Sequence, residues 1–322
     1  MLAEFLLTPD ALVAGFGLEG RDAIEELKAC FLPKRSVPIA LLSKLGEEWE
    51  IAAARKIARI NSANRHSAIA MFTQLLNEAS ISRPGVRVHV DDENGWIQAA
   101  RTSNNQVPFD RIVVSMTAKP PASNGVSIAD FVDDDFWQQY QNPRHVGRDL
   151  VSQEPALKCL CAHSEWMIIR MPQIRGGSGD EIATVKQIIQ LSSRLPNGFR
   201  KSAIDLHVCL QDKIPEQNLI DGVSDNLSQY VRQGVQIRLS LWPIKHFYNR
   251  ELIAGDLSRT STGEEIRRPL WYITMNHVAI GRRDVDALGE SGNTWSMFSR
   301  KDAYSRYEGL QVSTPLRTLT LE

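Results

Sequence analysis

The chain has 322 residues, enough for one large core or two ordinary ones. With 43% hydrophobic residues, 23% charged residues and a net charge of −1, it has the make-up of a globular protein, not of a basic, sequence-blind nucleic-acid binder. Four cysteines (Cys30, Cys159, Cys161 and Cys209) are too scattered for a disulfide framework, and Cys159 and Cys161 stand too close for a zinc half-site, so no metal or cofactor is expected. No signal-peptide pattern opens the chain and no run approaches the ~18 apolar residues of a membrane span, which reads as a cytoplasmic protein.

The first expected strand is Ala3–Leu7, stopped by Thr8-Pro9-Asp10. Arg21–Cys30 has helical spacing, Ile39–Leu42 is a short apolar run, and Glu47–Ser80 is mostly helical with a break near Asn61–Asn64. Val86–Val90 and Trp96–Ala100, joined through Asp92–Gly95, read as a hairpin, and Arg111–Met116 as a further strand. Lys119–Gly125, with two prolines and small polar residues, is the most linker-like stretch. It predicts an N-terminal α+β domain over residues 1–125 and an α/β domain over 126–322. Phe131–Asp149 carries Phe136, Trp137 and Tyr140 among acids and reads as a docking segment or a loop.

The back half alternates strand and helix signals: Glu165–Pro172, Asp180–Leu195, Ile204–Leu210, Leu219–Gln233 and Val235–Trp242. Asp256–Arg268 is polar and reads as an exposed loop, followed by an apolar strand over Leu270–Ile280. Charge is uneven along the chain. Gly85–Tyr140 holds eight acids and four bases, whereas Arg232–Arg283 holds nine bases and four acids, a local excess that suits phosphate.

Three segments carry candidate chemistry. Gly15 to Gly20 has the glycine spacing of a dinucleotide-binding turn, although no acid stands about twenty residues on to hold a ribose. Turn glycines are the other reading of that motif. Arg175–Asp180 follows a strand and opens a helix, so its amides and Arg175 could cradle an anion, or it is simply a flexible connection. Lys245–Arg250 and Asn276–Asp284 each bring one histidine and several cations next to a strand. Ligand sites of open α/β sheets lie beyond the carboxyl ends of the strands. His246 and His277 are therefore the candidate catalytic groups, with Lys245, Arg250, Arg282, Arg283 and Arg175 as phosphate ligands.

The order strand–helix–strand–helix–strand, then the His-bearing Lys245-His246-Phe247-Tyr248, then an apolar strand ending Val278-Ala279-Ile280-Gly281, resembles the phospholipase-D-like fold over Glu165 to Asp286. The active family carries Lys two positions after His, where this chain has Tyr248, and Ser after Gly, where it has Arg282. The pattern is closer to the inactive phospholipase-D-like domain that follows microtubule-interacting-and-transport modules. That resemblance implies a mixed sheet flanked by helices and phosphate or nucleic-acid recognition without a full catalytic set. The company such domains keep implies protein partners in a multi-gene bacterial system such as phage defence. A protein–protein interaction subunit and a nucleotide-cofactor enzyme built on Gly15–Gly20 remain as alternatives.

Overall fold

A computed structural model of the chain describes residues 3–17, 27–28, 31, 40–83, 92–137, 140, 144–146, 150–174, 180–193, 203–260, 262–275 and 294–321. They fall into two compact units, one within Met1–Gln141 and one within Asn142–Leu195 and Arg200–Glu322. The class is α/β, and each unit has its own sheet. Among the described residues no helix is long and apolar enough to cross a membrane.

The first unit contains β1 (Ala3–Leu7), α1 (Pro9–Gly17), β2 (Ala40–Lys44), α2 (Gly46–Ile57), α3 (Ser62–Glu78), β3 (Ser80–Ser82), α4 (Glu93–Gln106), β4 (Arg111–Val114), β5 (Gly125–Ser127), α5 (Ile128–Phe131) and α6 (Asp134–Trp137). Its strands run parallel in the order β3-β2-β1-β4-β5. Every residue of β1 is buried, as expected for the central strand of a parallel sheet covered on both faces. Phe5 packs against the rings of Phe31, Phe131, Phe136, Trp137 and Tyr140, with centroids 5.1–6.4 Å away. The aromatic residues that read as docking anchors thus complete the core of their own unit.

Three expectations are corrected here. Trp96–Ala100 is not the second strand of a hairpin but part of α4. Asp92 caps that helix by accepting from the Gly95 amide at 2.8 Å, and Glu93 stands in the first turn, where the helix dipole favours an acid. Val86–Val90 lies outside the described residues. The expected division at 125/126 falls inside the first unit. Lys119–Gly125 makes a turn closed by Gly125 N–H donating to Pro121 O at 2.8 Å, and β5 then pairs with β4. Finally, Gly15 and Gly17 sit within α1 and not in a strand-to-helix turn, so they do not form a pyrophosphate loop. Gly15 is a packing residue, since a Cβ there would stand 3.3 Å from Ile128. Gly20 lies outside the described residues.

At the switch point of this sheet, between β1 and β4, the Glu93 carboxylate accepts from Thr8 Oγ1 at 2.7 Å and from the Ser115 amide and hydroxyl at 2.7 and 2.5 Å. The Thr8 hydroxyl and the Ser115 amide and hydroxyl, which border this crevice, are thus engaged by a side chain.

The second unit contains β6 (Arg144–His145), α7 (Leu150–Ala162), β7 (Trp166–Met171), α8 (Asp180–Ser193), β8 (Ala203–Cys209), α9 (Glu216–Arg232), β9 (Ile237–Trp242), β10 (Arg250–Arg259), β11 (Glu265–Met275), β12 (Thr294–Phe298), α10 (Arg300–Gln311) and β13 (Arg317–Thr320). The sheet is mixed, with order β13-β9-β8-β7-β10-β11-β12-β6. Its three central crossover strands, β7 to β9, are parallel, and the flanking pairs are antiparallel. The stretch read as a loop, Asp256–Arg268, is instead the tip of a long β10–β11 hairpin. Its turn places Gly263 at φ +85 and closes with Gly263 N–H donating to Thr260 O at 3.0 Å. Register shifts at Ala254/Gly255, where a Cβ on Gly255 would collide with the Arg268 carbonyl, so only glycine lets the two backbones approach this closely.

Alternation divides the second sheet into two unlike faces. Met167, Ile169, Met171, Leu206, Val208, Leu239, Leu241 and Leu252 form one buried, apolar face. Crossovers of one hand put α8 and α9 together on one side of β7–β9, and Lys186 donating to Asn226 (2.6 Å) and Gln190 to the Tyr230 hydroxyl (3.0 Å) tie the two helices. The other face carries Trp166, Ile168, Arg170, Asp205, His207, Arg238, Ser240 and Glu251, with α10 lying over part of it. The Tyr307 ring packs at a tilt against Trp166, with centroids 5.2 Å apart, and Leu310 joins Trp166, Ile168 and Ile253 in a small cluster.

Candidate anion-binding face of the second unit

The polar face is organised by two carboxylates, each shared between two arginines. Glu251 on β10 stands opposite Arg170 on β7 and takes its guanidinium. It also accepts from Arg306 of α10 at 2.7, 2.9 and 3.2 Å and from the Tyr272 hydroxyl at 3.0 Å. Arg170 is 3% exposed and Glu251 1%, so this pair is desolvated. Burial, reinforced by the Glu251 charge, pushes the Tyr272 phenol up to about 12, so it stays protonated and donating.

Asp205 on β8 receives a two-pronged bond from Arg238, its neighbour on β9, at 2.7 and 2.8 Å, and a second guanidinium from Arg267 on β11. Burial alone would raise the Asp205 carboxyl, but the bonds and charges of Arg238 and Arg267 outweigh it and hold it below the usual range. Four guanidinium groups meet two carboxylates across these bridges, an excess of positive charge.

His207 lies on the same strand, two residues past Asp205 and directly opposite Arg170 in register. Burial lowers its pKa to about 4; Asp205 opposes the shift, while Arg170, Arg238 and Arg267 reinforce it. The ring is therefore neutral at pH 7. Because the folded value lies below the unfolded one, protons favour the unfolded chain as pH falls through this window. We expect the second unit to lose stability between about pH 6.5 and pH 4, by on the order of 3 kcal/mol for this group alone. A series of urea midpoints over that range, with His207→Gln flattening the slope, checks this; identical slopes for both proteins would contradict it.

The carboxyl end of β9 leads into the segment singled out from the sequence. Trp242, His246, Phe247 and Arg170 pack around it: the His246 ring stacks on Trp242 at 4.7 Å, and the Trp242 ring stands 5.5 Å from His207. The Arg170 guanidinium lies 4.0 Å above the Phe247 ring. Cys209 Sγ donates to Phe247 O at 3.8 Å. The turn holds Lys245 at φ 58, a left-handed conformation that a lysine adopts only under local constraint. It closes with His246 N–H donating to Pro243 O at 3.1 Å. Lys245 and His246 are both exposed.

Of the residues predicted from sequence, Lys245, His246 and Arg250 come together on this turn and the start of β10. Arg250 is engaged by Glu181 of α8 at 3.1 Å, so part of its charge is already met. His277, Arg282, Arg283 and Arg175 lie outside the described residues. His207, Arg170, Arg238, Arg267 and Arg306 were not singled out from sequence. A signal existed for one of them: Asp205, His207 and Cys209 alternate along one strand, which puts a histidine two positions from an acid on one face.

Neither family models nor curated proteins give a match to this chain. Among solved structures it is similar to TrmBL2, an archaeal chromatin protein with a novel mode of DNA binding, at 9% identity over 80% of this chain and 85% of that one, with a TM-score of 0.29. A glucose-6-phosphate dehydrogenase in complex with its substrate glucose-6-phosphate matches at 9% identity over 95% of this chain and 83% of that one, with a TM-score of 0.17. Likeness this slight leaves the function to be argued from the chain's own geometry.

Proposed function

We propose that the second unit is a phospholipase-D-like module that recognises phosphate-bearing ligands, nucleic acid foremost, and binds them without cleaving them. The observation that carries this reading is the polar sheet face, where Arg170 and Arg306 meet Glu251 at the carboxyl end of β7, next to the exposed Lys245–His246 turn. Asp205 gathers Arg238 and Arg267 nearer the amino ends of the strands. A parallel-strand carboxyl end lined by cations is where an open α/β sheet receives an anionic ligand.

Two features speak for binding over turnover. A phospho-histidine step needs a group that orients the nucleophile and a cation that stabilises the developing charge. Among the described residues, the His246 imidazole has an aromatic partner, Trp242, and no carboxylate that orients it. Tyr248 stands where the active family carries lysine and points no cation at the histidine, being 72% exposed.

The test is binding of a fluorescein-labelled duplex by the full chain and by Lys245→Asn, a change that removes the charge while tolerating the left-handed backbone. A phosphate-contacting lysine, when lost, weakens binding evenly across sequences and reduces the salt slope by about one. Unchanged affinity and slope would remove the turn from the binding surface.

A further inference from the structure

We propose that a phosphoryl group seats against Arg170 Nε, His207 and Trp242 Nε1 on the strand face at the carboxyl ends of β7, β8 and β9. This rests on the anion-recognition reading above and names the anchor within it. Three observations lead there. Arg170 Nε, His207 Nδ1 and Trp242 Nε1 are each buried without a hydrogen-bond partner among the described residues. Arg170 and Trp242 are 3% and 2% exposed, so water does not ordinarily serve these donors. The three residues are neighbours on one face, since Arg170 pairs with His207 across β7 and β8, and the His207 and Trp242 rings stand 5.5 Å apart.

A buried donor left unpaired is costly, and folded proteins tolerate few. Three on adjacent strands of one face call for an acceptor-rich group, and the guanidinium makes an anion the fitting one. The rest of the network is already saturated: Glu251 holds Arg170 Nη1, Arg306 and the Tyr272 hydroxyl, and Asp205 holds Arg238 and Arg267. Arg170 is thereby fixed through one nitrogen and the Phe247 ring, with its Nε left to donate. His207, neutral at physiological pH, offers a ring nitrogen without adding a charge that the free protein would have to bury. The exposed Lys245 then acts as the outer contact that a longer, polyanionic ligand reaches.

The experiment tracks the indole N–H signals of the ¹⁵N-labelled full chain during titration with inorganic phosphate, with the Trp242 signal assigned by its loss in Trp242→Phe. The expected result is a saturable downfield shift of the Trp242 signal. In parallel, Trp242→Phe binds the labelled duplex about tenfold or more weakly, while its second unit still unfolds cooperatively. If the duplex binds but phosphate leaves the Trp242 signal unmoved and Trp242→Phe keeps full affinity, the anchor is overturned and the broader reading stands. If phosphate moves the signal but no duplex binds, the anchor stands and nucleic acid is ruled out as its ligand. If neither binds, both are overturned.

Discussion

Glu251→Ala will unfold the second unit at far lower urea than the parent, by about 3–5 kcal/mol. The magnitude reflects the position of the carboxylate. It is 1% exposed and is the partner of the Arg170 guanidinium, which is itself 3% exposed. Removing the acid leaves a buried positive charge uncompensated and strips the Tyr272 hydroxyl of its acceptor. Arg306 loses three bonds as well, but its side chain is 35% exposed and recovers water. The converse change, Arg306→Ala, is therefore expected to cost only about 1 kcal/mol, because Glu251 keeps Arg170 and Tyr272. Urea unfolding monitored by circular dichroism measures both. Equal costs for the two variants would show that the pair is not the keystone of this face.

The second large effect belongs to the first unit. Arg83 is buried beside β3, with Nε donating to Glu4 Oε1 at 2.5 Å and Nη1 donating to the Val107 carbonyl and to Ser103. Its guanidinium also lies 3.6 Å above the Phe109 ring. Glu4, on the central strand β1, accepts from the Ser43 hydroxyl too. One residue thus ties β1, the end of α4 and the approach to β4. Arg83→Ala removes the buried guanidinium that meets the Glu4 carboxylate and the Val107 carbonyl, and about 3–5 kcal/mol of loss is expected. Arg83→Lys restores the charge but not the fork that reaches Glu4 and Val107 together, so it recovers only part of the loss. Full recovery by lysine would mean that charge alone, not geometry, holds the joint.

Legibility in the sequence divides along a physical line. The parallel strands β7 to β9 and their helices were legible because an apolar run or alternation in a strand, and a buried apolar side on a helix, write a hydrophobic pattern into the chain. The β10–β11 hairpin tip was not, since Asp256, Ser258 and Arg268 carry cross-strand polar pairing that looks like loop composition. α4 was misread because Asp92-Glu93-Asn94-Gly95 carries turn residues that also cap a helix, and only the spacing of the apolar residues after Gly95 distinguishes the two. The Lys245–Arg250 segment was found through its charge and its place after a strand. His207 was missed because its neighbours Arg170 and Trp242 lie more than thirty positions away and meet it only through strand pairing. The basic excess counted along Arg232–Arg283 overstated the free charge, since Arg238, Arg250 and Arg267 are engaged by Asp205 and Glu181.

The central claim is that this polar face holds phosphate without breaking it. The most direct measurement is anisotropy of a fluorescein-labelled DNA duplex with the full chain from 50 to 200 mM salt, with the recovered duplex run on a denaturing gel. Each phosphate neutralised contributes about −0.9 to the slope of log affinity against log salt. Saturable binding with a slope of about −2 or steeper is expected, and an intact duplex after incubation. Binding that is absent or indifferent to salt would contradict the claim, as would cleavage that disappears in His246→Ala.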